Sequence, residues 1–165
     1  MEIEKLIGEI IPPIDRDHRE GFTNEHIVDK LTATEKKLVE HELIRLLENQ
    51  MDEDPDYLII QTLAYLKSVE SLPVLKSALR NATKAMTELV IAASIFEINN
   101  DNEMTDVAIS AVRKISKKKD NLYTLIFTFF YLAKFKSIET NKIIEEFAGH
   151  KEYLVSYNAK RFLSQ

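Results

Sequence analysis

The scarcity of chain breakers constrains this sequence more than any other feature: three glycines and four prolines punctuate 165 residues. An all-β fold needs turn residues every few positions, and a linker separating two domains needs a breaker-rich stretch, so both are disfavoured. Apolar residues recur instead at spacings of three and four along almost the whole chain, the period of a helix with one buried face. The expectation is a single all-α domain over residues 1–165.

Local signals divide that domain. Glu2–Ile11 reads as a short amphipathic helix stopped by Pro12 and Pro13, because the residue before a proline avoids helical backbone. Ile14–Gly21 reads as a polar loop, and Thr23 or Asn24 caps a short helix to about Leu31. Thr32-Ala33-Thr34-Glu35 has capping-box spacing and opens a long helix to about Gln50, with Val39, Leu43, Leu46 and Leu47 on one face. Asp52, Glu53, Asp54 and Asp56 favour the positive end of the next helix, Tyr57–Val69, with Pro55 in its first turn. Ser71 is the expected cap of a helix ending near Asn81, with Leu72, Leu75 and Leu79 inward. Helices follow over 84–98 (opened by Thr83), 103–116, 122–135 (capped by Asp120 or Asn121), 138–148 (after Ser137) and 151–164, with a turn at 99–102 and Gly149 as a left-handed helix stop. Residues 1–50 are expected to cap one end of the hydrophobic core.

The helices repeat. A shift of 32 residues places Ile59 on Ile91, Thr62 on Ser94, Leu63 on Ile95 and Leu66 on Ile98, then Leu72 on Met104, Leu75 on Val107 and Leu79 on Ala111. A looser third unit covers 121–150, and Tyr153–Leu163 starts an unfinished fourth. Helical hairpins repeating at such a period predict an α-solenoid. Asp54-Pro55-Asp56, Leu63-Ala64-Tyr65-Leu66, Leu72-Pro73-Val74-Leu75 and Ala78-Leu79 together resemble a HEAT repeat, with Leu58 where such repeats often carry arginine. The resemblance is clearest over 54–115. It implies an α-α superhelix of about eight helices, with hairpin repeats over 54–164, and a tendency to bind other macromolecules.

Composition narrows the function. The chain has no cysteine, which excludes disulfides and thiolate metal sites. Met1-Glu2-Ile3-Glu4 lacks the basic start and apolar core of a signal peptide, and the longest apolar stretch, near Leu122–Phe135, is interrupted by Thr124, Thr128 and Lys134. A cytoplasmic protein with no membrane partner is expected. Residues 1–57 carry 16 acidic and 7 basic side chains, a net of −9, whereas residues 58–165 carry 11 and 15, a net of +4. Such asymmetry can steer a charged partner, although solvated surface is its commoner meaning.

Chemical motifs fail on inspection. His41-Glu42 begins a zinc-protease motif, but Arg45 stands where the second histidine must be. In Asp15-Arg16-Asp17-His18-Arg19-Glu20 the arginines compete with any metal for the carboxylates. The acidic run at 52–56 lacks the glycine of a calcium loop and contains Pro55. No glycine-rich phosphate loop and no G-x-S-x-G elbow occurs. No cofactor, no metal and no catalytic residue are therefore expected. Arg113, Lys114, Lys117, Lys118 and Lys119 form the one dense basic run, at a helix C-terminus where cations offset the dipole. HEAT-like DNA glycosylases share the implied architecture, but they are basic proteins, while this chain is net acidic and has no tryptophan.

The expected function is non-enzymatic protein binding, as a scaffold, adaptor or immunity-type module. In the solenoid that the resemblance implies, the second helix of each hairpin lines the concave face. The candidate partner contacts are then Lys76, Arg80, Asp106, Ser110, Arg113, Lys142, Glu145 and Glu146, whose mixed charge suits protein recognition. The aromatic helix with Phe127, Phe129, Phe130, Tyr131 and Phe135 is expected to lie sandwiched in the core; alternatively an edge at Tyr131 or Tyr123 anchors a partner. A nucleic-acid-binding or repair protein, and a structural homo-oligomer such as a homodimer, are the rival readings.

Overall fold

The computed structural model describes residues 3–50, 54–118 and 121–164. Among them all regular structure is helical: α1 (Ile3–Ile10), α2 (Arg16–Arg19), α3 (Glu25–Val28), α4 (Ala33–Glu48), α5 (Tyr57–Tyr65), α6 (Leu72–Asn81), α7 (Ala85–Asn99), α8 (Glu103–Ser116), α9 (Leu122–Ala133), α10 (Ile138–Phe147) and α11 (Tyr153–Leu163). A 3-10 turn, Val69–Ser71, precedes α6. None of these helices is long and apolar enough to cross a membrane. The element not expected is α2, a single turn within the segment read as a loop, and the short helix expected up to about Leu31 is the single turn α3.

The ends of these helices follow local chemistry, with informative departures. The capping box forms: the Glu35 N–H donates to the Thr32 hydroxyl at 3.3 Å, and the Thr32 N–H donates to the Glu35 carboxylate at 2.9 Å. The Ser137 hydroxyl likewise accepts from the Thr140 N–H at 3.1 Å. The loop expected at 14–21 instead contains α2, because the Asp15 carboxylate caps it by accepting from the His18 N–H at 2.9 Å. The helix expected to reach Val69 ends at Tyr65. Lys67 turns left-handed (φ 54°), and the Ser71 hydroxyl donates to the Ser68 carbonyl at 2.8 Å within the 3-10 turn, so it does not cap α6. Pro55 sits just before the α5 cap, Asp56, rather than in the first turn. Gly149 is not left-handed; Asn100 (φ 56°) and Lys136 (φ 49°) are. Asn121 spends its side-chain amide on the Ile115 carbonyl at 2.9 Å and makes no side-chain cap to α9. The other expected cap, Asp120, and the acidic Asp52 and Glu53 lie outside the described residues.

The core is one contiguous cluster running from Leu6 to Ala159. Helix α7 is its centre: Leu89 to Ile95 are all buried, and α7 packs on α5, α6, α8 and α9. A helix touched on so many sides must be apolar around most of its circumference, which is how its sequence reads. The contacts continue from α5 to α7, α7 to α9 and α9 to α11, so the odd-numbered helices form a row. Helix α4 meets α6, and α8 meets α10. Each fully buried side chain such as Leu63, Leu75 or Phe129 contributes about 1.5–3 kcal/mol.

The segment between α1 and α4 is fastened by polar groups. Asn24, 4% exposed, donates its amide to the Ile10 carbonyl at 3.0 Å and to the Thr62 hydroxyl at 2.7 Å. Turned toward those partners, the Asn24 side chain makes no capping bond to α3, although Asn24 stands at its N-cap. Arg19 reaches the Asp56 carboxylate at 2.7 Å and the Pro12 carbonyl at 2.5 Å. These bonds hold residues 12–24 against the start of α5, where they become one wall of a cleft.

Candidate functional site

Three clefts meet on the side of the fold formed by α5, α9 and α11. The first, about 640 Å³, lies between Ile14, Arg19 and Phe22 of the N-terminal segment and Leu58, Met86, Phe127 and Tyr131. The second, about 580 Å³, lies between α9 and α11, against Ile126, Phe127, Phe130, Asn158, Arg161 and Phe162. The third, about 200 Å³, reaches from Phe22 and Leu58 to Phe130 and Lys134. Gln61 lines all three, so they form one branched trough with a common floor.

The floor is polar in a small, defined way. The Gln61 side-chain amide donates to the Tyr131 hydroxyl at 2.6 Å. Burial pushes that hydroxyl up to about 12, aided by Tyr57 and Glu97 and opposed by the bond from Gln61. It stays a neutral phenol across the physiological range.

Helix periodicity explains the walls. Residues 123, 127 and 130 share one stripe of α9, and Tyr123, Phe127 and Phe130 are 71%, 62% and 45% exposed. The opposite stripe, Leu125, Phe129 and Leu132, is buried. The expected sandwich therefore holds for one side of the aromatic helix only. Of the two proposed edge anchors, Tyr123 is exposed and Tyr131 is buried. The Lys134 ammonium lies 4.8 Å from the Phe130 ring centroid and bonds to Glu97 at 2.7 Å, a cation held over an aromatic face.

Rim charges are largely paired. Arg19 pairs with Asp56, Lys84 with Asp54 and Lys134 with Glu97. The Asp54 contact holds the Lys84 ammonium above its usual value. Arg161 belongs to no ion pair among the described residues.

The eight residues singled out from the sequence lie elsewhere, on α6, α8 and α10, and none lines these three clefts. Arg113 is half-buried and the other seven are exposed. One pair among them is tied by charge, and a third member pairs with a residue outside the set. Arg113 forms a two-pronged pair with Glu146, one prong at 2.6 Å, and Lys76 reaches Asp101 at 3.2 Å. The guanidinium holds the Glu146 carboxyl below the usual range. The basic run is broken up in the same manner, because Lys114 binds Glu88 at 2.7 Å while Lys117 and Lys118 are exposed; Lys119 lies outside the described residues.

The histidine cluster resolves into ordinary pairs: His18 with Asp15 at 2.7 Å, and Arg16 with Glu20 at 2.8 Å. His18 holds the Asp15 carboxyl below its usual value. His41 meets Glu70 at 3.2 Å. Among the described residues no group of three His, Cys, Asp or Glu side chains is placed to hold a metal ion.

Sequence reasoning passed over Ile14, Phe22, Gln61 and Arg161. Ile14 stood in an assumed loop, Phe22 fell just after it and before the expected cap at Thr23 or Asn24, and the last two are unremarkable polar residues on helices; the available signal was the 123/127/130 stripe. No protein-family model, no curated protein and no solved structure matches the chain.

Proposed function

We propose that this chain is a non-enzymatic, cytoplasmic protein-binding module built as a short HEAT-like solenoid, of scaffold, adaptor or immunity type. The observation that carries the binding reading is the trough: Phe127 and Phe130 stand exposed beside clefts whose floor offers paired polar groups. Large aromatic side chains left open next to a concavity are the usual anchors of protein recognition. The HEAT-like reading is supported by the 32-residue shift, which pairs Ile59 with Ile91 and Leu63 with Ile95, all buried, and by the row that α5, α7, α9 and α11 form.

Two surfaces compete for the partner. The trough is favoured over the exposed faces of α6, α8 and α10, where Lys76, Arg113 and Glu146 already satisfy one another or a neighbour. Affinity capture from native lysate with mass spectrometry discriminates between them. A Phe127→Ser/Phe130→Ser variant is expected to lose a partner that the Lys76→Glu/Arg80→Glu/Arg113→Glu variant keeps. Recovery of nucleic acid alone by all three proteins would overturn the reading.

A second copy of the chain is the rival occupant, favoured by Tyr153, Leu154 and Tyr157, all exposed on α11. Sedimentation of the purified chain tests it: a dimer dispersed by Tyr153→Ser/Tyr157→Ser would replace the adaptor reading with self-assembly.

A further inference from the structure

We infer that the trough takes an extended, apolar segment of a partner protein bearing an acidic side chain, with Gln61 and Tyr131 contacting its main chain and Arg161 its carboxylate. This rests on the binding-module reading and specifies what is bound.

The floor argues for extended backbone. Donation from Gln61 Nε2 to the Tyr131 oxygen leaves the Gln61 Oε1 acceptor and the Tyr131 hydroxyl proton without a partner among the described hydrogen bonds. No buried side-chain nitrogen or oxygen lacks a partner among those residues, so Gln61 Oε1 is open to the cleft. A helix has already spent its interior N–H and C=O groups on itself, whereas an extended segment still presents both. A neighbouring donor and acceptor in an apolar trough match the N–H and C=O that one residue of an extended segment presents on the same side.

The size and walls argue for a chain rather than one small molecule. Two adjoining clefts of about 640 and 580 Å³ share Gln61, Phe127 and Tyr131, so Phe127 stands between two receptacles for bulky side chains. Successive side chains of an extended segment diverge to opposite sides, which suits receptacles on either side of a ridge.

Charge selects the acidic residue. The ionisable side chains of the second cleft are Arg161 and Tyr131, and Tyr131 is neutral. Of the carboxylates bordering the first and third clefts, Asp54, Asp56 and Glu97 are engaged by Lys84, Arg19 and Lys134, and Glu25 stands exposed at the third cleft, which Arg161 does not line. Arg161 is thus the cation left to bind an incoming carboxylate, and its planar fork suits that geometry. A basic segment would meet it with like charge.

Selection from a random-peptide phage library against the full chain, and in parallel against Arg161→Glu, tests this. The native chain should select peptides with two bulky apolar residues and a recurrent Asp or Glu, and Arg161→Glu should exchange that position for Lys or Arg. A resynthesised native-selected peptide, followed by fluorescence anisotropy, should bind Arg161→Glu and Phe127→Ser about ten-fold more weakly or worse. Unchanged melting of both variants guards against misfolding. Peptides without acidic bias, equal affinity for Arg161→Glu, or no selected peptide at all would overturn the inference. A lysate partner lost by Phe127→Ser/Phe130→Ser but kept by Arg161→Glu would also overturn it while leaving the binding-module reading standing.

Discussion

The Gln61 amide and the Tyr131 hydroxyl, 70 residues apart in sequence, meet at 2.6 Å and join α5 to α9. The bond reaches past the intervening α7 and sets the floor of the trough. Removing it by Tyr131→Phe should cost about 1 kcal/mol in urea unfolding. A double-mutant cycle with Gln61→Ala should return a coupling of similar size.

The same hydroxyl makes alkaline stability sensitive to this residue. Its pKa is raised from 10.0 to about 12, so between those pH values the folded chain keeps a proton that the unfolded chain has released. Stability therefore falls as pH rises through that window, by up to about 3 kcal/mol at its upper end. Tyr131→Phe should show a shallower decline than the native chain in thermal melts from pH 9.5 upward, and it should remove the highest phase from an absorbance titration of tyrosine.

Arg19 and Asp56 pair at 2.7 Å with side chains 19% and 7% exposed, and Asp56 also caps α5 by accepting from the Leu58 N–H at 2.9 Å. Asp56→Ala strips the cap and leaves a largely desolvated guanidinium unpaired, at a cost of about 2–4 kcal/mol. Limited proteolysis should then cut first within residues 12–24, because Arg19 no longer holds that segment to α5. Asp56→Asn keeps a capping oxygen and should fall between the two proteins in urea midpoint.

Asn24→Ala should destabilise the chain by about 1–3 kcal/mol, since it leaves the Ile10 carbonyl without the amide that donates to it in a buried setting. Asn24→Asp fares no better: its carboxylate cannot donate to that carbonyl. Hydrogen exchange across α1 and α3 locates the loss.

Arg113 and Glu146 make the opposite case. Their side chains are 42% and 49% exposed, so water and salt screen the pair. Glu146→Gln should shift the unfolding free energy by less than about 1 kcal/mol. The depressed Glu146 pKa means that this small contribution is present above the normal carboxylate range and fades as pH falls through it. The difference between native and variant chains in melts at pH 7 should narrow as the pH is lowered below the normal carboxylate range.

Much of the helical layout was legible because its causes are local. Thr32 and Glu35 stand three apart and cap α4; Ser137 caps α10; the apolar spacing over 84–98 marks α7, whose central place only the packing shows. The misplaced boundaries share a different cause. The Tyr65 end of α5 depends on a left-handed Lys67, which side-chain type does not announce, and the Asn24 and Asn121 amides were drawn from expected caps to distant or preceding carbonyls. The trough was illegible for the same reason. Ile14 and Phe22 come near α9 only because Arg19 and Asn24 fasten their segment to α5.

By itself the sequence determined an all-helical chain, through the three-and-four spacing of its apolar residues and its few breakers, and it placed most helices from short-range capping and periodicity. The tertiary structure alone decided which aromatic edge stays open, which charges cancel and where the concavity lies. Those outcomes depend on pairings such as Gln61 with Tyr131, Arg19 with Asp56 and Lys134 with Glu97, each spanning 37 residues or more. No local pattern encodes such a partner; packing of the core brings the two ends together, and the polar contacts then form between whichever side chains the packed helices present.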